Sequence, residues 1–159
     1  MKSKLDPILL AEDDEDHAHF VLRAFKRGAV CNPVFVVRDG EEAVAYLSGE
    51  GKFSNREEFP LPTLLLLDLK MPNKNGFEVL DWIRQQPSLR TLRVVVLTTS
   101  DDRRDINRAY QLGANSFLTK PVNLDDFFRL TEAIKGYWLW MSEEPDLERP
   151  RKPAISFAK

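Results

Sequence analysis

The sequence predicts an α/β domain, a parallel sheet covered by helices on both faces. Three observations lead there. Leu64-Leu65-Leu66-Leu67 has no polar face, as expected of a strand buried on both sides. Short apolar runs of this kind alternate five times with segments of helical spacing, the pattern of strands joined by right-handed helical crossovers. The runs end in polar groups, namely Glu12-Asp13-Asp14, Asp68, Thr98-Thr99-Ser100 and Thr119-Lys120-Pro121. A parallel sheet sets such ends along one edge, where open α/β sheets bind their ligands.

Strand one is expected over residues 7–11 and helix one over 15–27, where Phe20, Val21, Ala24 and Phe25 recur at helical spacing before Gly28 stops the helix. Strand two follows at 33–37. Asp39-Gly40 turns the chain into helix two at 41–48, with Ala43, Val44 and Leu47 on one face. Residues 49–62 carry Gly49, Gly51, Pro60 and Pro62 among charges and read as a long loop, with Phe53 and Phe59 to fold it back. Strand three is 63–67. Asn73, Asn75 and Gly76 make a turn into helix three at 76–86, where Phe77, Leu80 and Ile83 share a face. Strand four is 94–98, helix four 103–112 with Gly113 behind it, and strand five 116–118. Helix five starts at an Asn123 cap with Asp125 and Asp126 in its first turn. It leads into Tyr137-Trp138-Leu139-Trp140, with Gly136 as the point where it kinks or ends. Residues 142–159, with Pro145, Pro150 and Pro153 among charges, read as an extended tail behind a domain of residues 4–141.

Size and charge narrow the function classes. A chain of 159 residues is one domain with one sizeable core. A net charge of -2 offers no basic field for nucleic acid or anionic membrane, and no apolar run is long enough to span a bilayer. Neither partner is expected. One cysteine, Cys31, excludes an intramolecular disulfide and fits a reducing cytoplasm. It is expected as a small buried residue before strand two rather than a redox thiol.

The strand ends carry the chemistry. Glu12, Asp13 and Asp68 brought together repel one another, and a hard divalent cation such as Mg²⁺ relieves that repulsion through carboxylate oxygens. Lys120 supplies a positive charge for Asp68 or for an anion carried on it, and Thr98 supplies a hydroxyl donor. A carboxylate nucleophile, a cation and donors for phosphoryl oxygens together describe a phosphoryl-transfer site. Asp14, Glu15 and Asp16 are assigned to the N-terminus of helix one, and Thr99 to filling space with its methyl. His17 and His19, two residues apart, point different ways and are expected on the surface.

Ile8-Leu9-Leu10-Ala11-Glu12-Asp13-Asp14, Leu67-Asp68-Leu69-Lys70-Met71-Pro72-Asn73-Lys74-Asn75-Gly76, Leu97-Thr98-Thr99-Ser100 and Lys120-Pro121 occur in this order, with Thr98 and Lys120 placed 30 and 52 residues after Asp68. In these four motifs residues 4–136 resemble the receiver domain of bacterial two-component response regulators. The resemblance implies a flavodoxin-like three-layer fold with strand order 2-1-3-4-5. It implies that Asp68 is the phosphoacceptor for a histidine kinase, and that Glu12, Asp13, Asp68 and the backbone carbonyl of Lys70 hold Mg²⁺. Thr98 is then the switch hydroxyl, Phe117 occupies the switch-aromatic position (plain core packing remains open for it), Lys120 is the ion-pair lysine, and Lys120-Pro121 is a cis peptide. Lys70, two residues after the acceptor, is expected to alter the lifetime of the phosphoryl group.

No helix-turn-helix follows, so output is expected through protein contact or onward phosphotransfer. Leu124, Phe127, Phe128, Thr131, Ile134, Trp138 and Met141 form one apolar stripe on helix five, and Leu130, Ala133, Tyr137 and Trp140 a second. One packs on the sheet. The other is expected as an interface, with Phe128, Tyr137, Trp138 and Trp140 as candidates. The long middle loop and aromatic ending are similar to single-domain regulators that partner phytochrome-type kinases, which implies a homodimer through helix five and the tail. Ile155-Ser156-Phe157 is the expected docking arm. Two rival readings stand beside this one. A haloacid-dehalogenase-like phosphatase carries a second acid two residues after its nucleophile, where Lys70 stands here. A receiver-like binding module would take no phosphate. A P-loop enzyme is excluded, because no Gly-Lys-Ser/Thr loop is present.

Overall fold

The computed structural model describes residues 6–141. Its strands are β1 (Ile8–Ala11), β2 (Val34–Val37), β3 (Leu64–Leu67), β4 (Arg93–Thr98) and β5 (Ser116–Thr119). They form one sheet in the order β2-β1-β3-β4-β5, and every neighbouring pair is parallel. The helices are α1 (Glu15–Arg27), α2 (Gly40–Ser48), α3 (Gly76–Gln85), α4 (Arg103–Gln111) and α5 (Leu124–Ile134). This is the expected layering and strand order.

Side chains alternate across the sheet, so each central strand feeds two cores. Leu9, Leu65, Leu67, Val94 and Val96 pack with Ala43 and Leu47 of α2, Leu80 and Ile83 of α3, and Ala109 of α4. Ile8, Leu10, Leu64, Leu66, Val95 and Leu97 pack on the other face with Val21 and Phe25 of α1 and Phe127 and Ile134 of α5. The leucine run of β3 is wholly buried. Each of its four side chains contributes about 1.5–3 kcal/mol by leaving water, which makes β3 the rigid post on which the next residue, Asp68, stands.

Caps set where each helix begins. The Asp14 side chain accepts from the backbone N–H groups of Asp16 and His17. Asn75 and Glu78 close a reciprocal capping box at α3, satisfying backbone donors that the helix itself cannot. Asn123 accepts from Asp126 N–H at α5.

The long loop is ordered by its own aromatics. Phe53 is buried, and it meets Tyr46 at 5.0 Å and Phe59 at 5.2 Å between ring centroids. Arg56 donates to the carbonyls of Tyr46 (2.7 Å) and Leu47 (2.8 Å) at the end of α2, adding to the left-handed Gly49 cap the positive charge that the last turn lacks.

Three expectations are corrected. Cys31 is exposed, not buried. Ala29 takes a left-handed φ of 57° after α1, and the turn carries the next residues along the surface. Phe20 is 38% exposed, and Ala18 joins Val21, Ala24 and Phe25 on the buried face instead. The Lys120–Pro121 peptide is not cis, since no cis bond occurs among the described residues; the two X-Pro isomers differ intrinsically by only about 0.5–1 kcal/mol, so sequence alone could not select one.

The end of α5 also departs from simple helical spacing. After Ile134 the chain continues as a π-helical segment, Lys135–Met141, whose bonds run to the fifth residue. The residue that follows Ile134 into the core is therefore Leu139 rather than Trp138. Tyr137 points outward at 57% exposure. The Trp140 side chain and the tail of residues 142–159, with its Ile155-Ser156-Phe157 arm, lie outside the described residues.

Candidate functional site

The carboxyl ends of β1, β3, β4 and β5 place four groups within reach of one another. Asp68 follows β3 and is 7% exposed. Its Oδ1 accepts from the Thr98 hydroxyl at 2.8 Å and from the Lys70 backbone N–H at 3.2 Å. Its Oδ2 accepts from Lys120 Nζ at 2.8 Å. Thr98 is the last residue of β4 and is fully buried, whereas Thr99 is exposed. Lys120 follows β5, and its backbone N–H is bonded to Thr98 O at 2.7 Å, which registers the two side chains against Asp68.

Glu12 follows β1 with its backbone N–H bonded to Val37 O at 2.9 Å. Its carboxylate is buried and accepts from Lys120 Nζ and, at 3.1 Å, from Asp14 N–H. Asp13 is exposed beside it. One oxygen from each of Glu12, Asp13 and Asp68 lies within 4.8 Å of the others.

The electrostatics divide the two buried acids. Burial pushes the Glu12 carboxyl up to about 7, reinforced by the Asp68 charge and opposed by Lys120. Burial pushes Asp68 up as well, but the Lys120 charge and the bonds from Lys120, Thr98 and Lys70 outweigh it and hold Asp68 below the ordinary carboxylate value. Asp68 is thus an ionised, hydrogen-bonded carboxylate at neutral pH. Three acids face one lysine. The donor set is all carboxylate oxygen, which fits a hard divalent cation and gives soft metals no ligand.

The loop behind Asp68 is built for close approach. A Cβ on Gly76 would sit 2.3 Å from Asp68 O and 2.7 Å from Leu69 Cα. The Gly76 N–H binds Leu69 O at 2.9 Å. Only glycine lets the start of α3 lie against the backbone that carries the carboxylate.

The structure brings together Glu12, Asp13, Asp68, Thr98 and Lys120; of Lys70, it is the backbone N–H that reaches Asp68. Phe117 stands beyond them, half-buried against the core on its face of the sheet. Its backbone N–H donates to the Tyr110 hydroxyl at 3.1 Å. The aromatic candidates on the last helix form a separate surface. Phe128 is half-buried beneath the Arg27 guanidinium, 4.1 Å from its centroid. Trp138 is half-buried beside Arg93, which donates to Trp138 O at 2.9 Å, and Tyr137 meets its ring edge-on at 4.9 Å.

His17 was missed. It is not a plain surface residue, because its Nδ1 lies 3.1 Å from Lys120 Nζ. The available signal was its spacing, one helical turn beyond Asp13 and hence above the acids. His19 is exposed as expected.

A family model described as the response regulator receiver domain matches residues 8–134. The response regulator Rcp1 of Synechocystis is 40% identical over 132 residues, covering 83% of this chain and 88% of that protein. Its Mn²⁺-bound crystal structure superposes with a TM-score of 0.81 at 38% identity, over 89% of this chain and 99% of that one. The phosphorylated cyanobacterial phytochrome response regulator RcpA gives a TM-score of 0.84 at 38% identity, covering 90% of this chain and all of its own. A "Probable methanogenesis regulatory protein FilR2" of Methanothrix harundinacea is 41% identical over 141 residues, covering 87% of this chain and 86% of that protein.

Proposed function

Because the chain belongs to the response regulator receiver-domain family, we propose that Asp68 accepts a phosphoryl group from a histidine of a partner kinase. An Asp68 carboxylate oxygen attacks phosphorus. The phosphorus–nitrogen bond to the donor imidazole breaks, its electron pair stays on that nitrogen, and the product is an acyl phosphate on Asp68. The observation that carries this reading is the state of Asp68, buried yet ionised, with Thr98, Lys70 N–H and Lys120 around it.

Lys120 balances charge on Asp68 before transfer and on the phosphoryl oxygens after it. Thr98 offers its hydroxyl to the same oxygens, and Phe117 on β5 reports the shift. Glu12, Asp13, Asp68 and the Lys70 carbonyl would hold Mg²⁺, which supplies neutralisation of phosphoryl charge. Lys70 occupies the place where a phosphatase would carry its second acid, so the phosphate turns over on Asp68 itself rather than on an external substrate. The test is incubation with acetyl phosphate or phosphoramidate and Mg²⁺, read by intact mass. Wild type gains one phosphoryl group and Asp68→Asn gains none. Equal inertness of both proteins would leave only the binding-module reading.

The likeness to Rcp1 and RcpA supports a phytochrome-type kinase as donor, and FilR2, at similar identity, supports a kinase of another signal. Phosphotransfer profiling against both kinds of kinase decides between them. We assign output to protein contact in the cytoplasm, through a homodimer built on α5 and the tail, with Tyr137 as its exposed described aromatic. Removing residues 144–159 should lower the solution mass toward that of a monomer; an unchanged mass counts against the dimer.

A further inference from the structure

We propose that His17 is a positioning residue for Lys120, acting as the neutral third acceptor of its ammonium group. The proposal rests on the phosphoacceptor reading of Asp68. A lysine ammonium has three N–H donors and no acceptor. Here its neighbours are Glu12 Oε2, Asp68 Oδ2 at 2.8 Å and His17 Nδ1 at 3.1 Å. Two are carboxylates and one is an imidazole, so the third donor is taken by a neutral group, with the Asp14 carboxylate 3.9 Å from the same Nδ1 and out of hydrogen-bond reach. For Nδ1 to accept, His17 must be neutral and carry its proton on Nε2.

The surroundings explain why a third acceptor matters. His17 and Lys120 border a cavity of about 350 Å³ whose other walls include Phe20, Pro121, Leu124 and Phe127. On that side no carboxylate lines the cavity to hold the ammonium. Without the imidazole, Lys120 has room to swing away from Asp68. With it, the ammonium keeps one fixed anchor on α1 while its other donors pass from the Asp68 carboxylate to the arriving phosphoryl oxygens. His17 sits in the first turn of α1, whose register is set by the Asp14 cap 3.2 Å from His17 N, so the imidazole is held by the helix rather than by a loop.

The geometry dictates which substitution rescues. Asn at position 17 puts its Oδ1 where Nδ1 now stands and accepts without titrating. Gln extends its amide past that point. His17→Ala should slow phosphorylation by acetyl phosphate in saturating Mg²⁺ about threefold to tenfold, the scale of one hydrogen bond. His17→Asn should return to within about twofold of wild type by the same measure, and His17→Gln should not. Thermal unfolding of all three variants checks that each is folded. Imidazole ¹⁵N shifts give an independent reading, with Nδ1 of wild type at pH 8 unprotonated and showing the shift of a hydrogen-bond acceptor, and Lys120→Met returning it to the value of an unbonded Nδ1. Equal rates for wild type and His17→Ala, identical behaviour of Asn and Gln, or a proton on Nδ1 in wild type would overturn the proposal. If wild type itself takes no phosphate, the phosphoacceptor reading fails, and the ¹⁵N shifts still judge the Lys120–His17 bond.

Discussion

Lys120→Met removes the one cation bonded to both buried acids among the described residues. The Lys120 and Glu12 side chains are each 2% exposed and that of Asp68 is 8%. Deleting one partner from a buried ion pair costs about 3–5 kcal/mol, here because two carboxylates would face each other with no ammonium between them. Proton uptake limits the loss. Glu12 is already pushed from 4.5 to about 7 by burial, against the pull of Lys120, and without Lys120 it rises further. A carboxyl with a raised folded pKa binds more protons in the native state, so stability falls as pH climbs through that window. The variant should therefore lose about 3 kcal/mol at pH 8 in EDTA and about half of that at pH 6. Urea unfolding measures it, with an unchanged slope showing that the native state is otherwise intact. Mg²⁺ should restore more stability to the variant than to wild type, since a ligand at a hundred times its Kd adds about 2.7 kcal/mol and the variant has the greater unrelieved charge. An unchanged midpoint at pH 8, or a larger loss at pH 6 than at pH 8, would refute the reasoning.

Three further outcomes are expected. Gly76→Ala forces a Cβ to within 2.3 Å of Asp68 O; it should cost about 1–3 kcal/mol in urea unfolding and slow phosphorylation of Asp68, and a neutral effect on both would show that the loop yields. Tyr46 is buried, donates to Pro60 O at 2.9 Å and is pushed up to about 12 by burial. Its phenol stays protonated in the native state where the unfolded chain ionises, so stability should fall from pH 10 to 12, and Tyr46→Phe should flatten that slope while costing about 0.5–1.5 kcal/mol at neutral pH. Lys70→Asn keeps the backbone N–H that binds Asp68 but changes the exposed side chain beside it; the half-life of the phosphorylated protein should change, and equal half-lives remove the idea.

Local pattern was enough for most of the architecture. The strands β1, β2 and β3 are runs of apolar residues with no polar face, and each helix starts at a side chain able to cap it, so most elements and the topology follow from short-range chemistry and the handedness of crossovers. The site acids, Thr98 and Lys120 were legible for the same reason: a parallel sheet must bring its strand ends to one edge. What pattern could not supply was decided by contacts between distant segments. His17 meets Lys120 across 103 residues; its spacing from Asp13 sets it above the acids but does not show that the imidazole is aimed at Lys120. Cys31 is exposed in a turn that includes a left-handed Ala29, which no local pattern announces. With π-helical spacing after Ile134, Leu139 is the residue buried in the core while Trp138 packs half-buried against it.

The order of residues alone therefore set the layers, the sheet and which polar groups stand at its edge, since those depend on periodicity and on where runs end. Which acid is held ionised and which is pushed toward its protonated form was left to tertiary structure. Burial and the aim of a single ammonium group are properties of the assembled edge, and no stretch of chain carries them by itself.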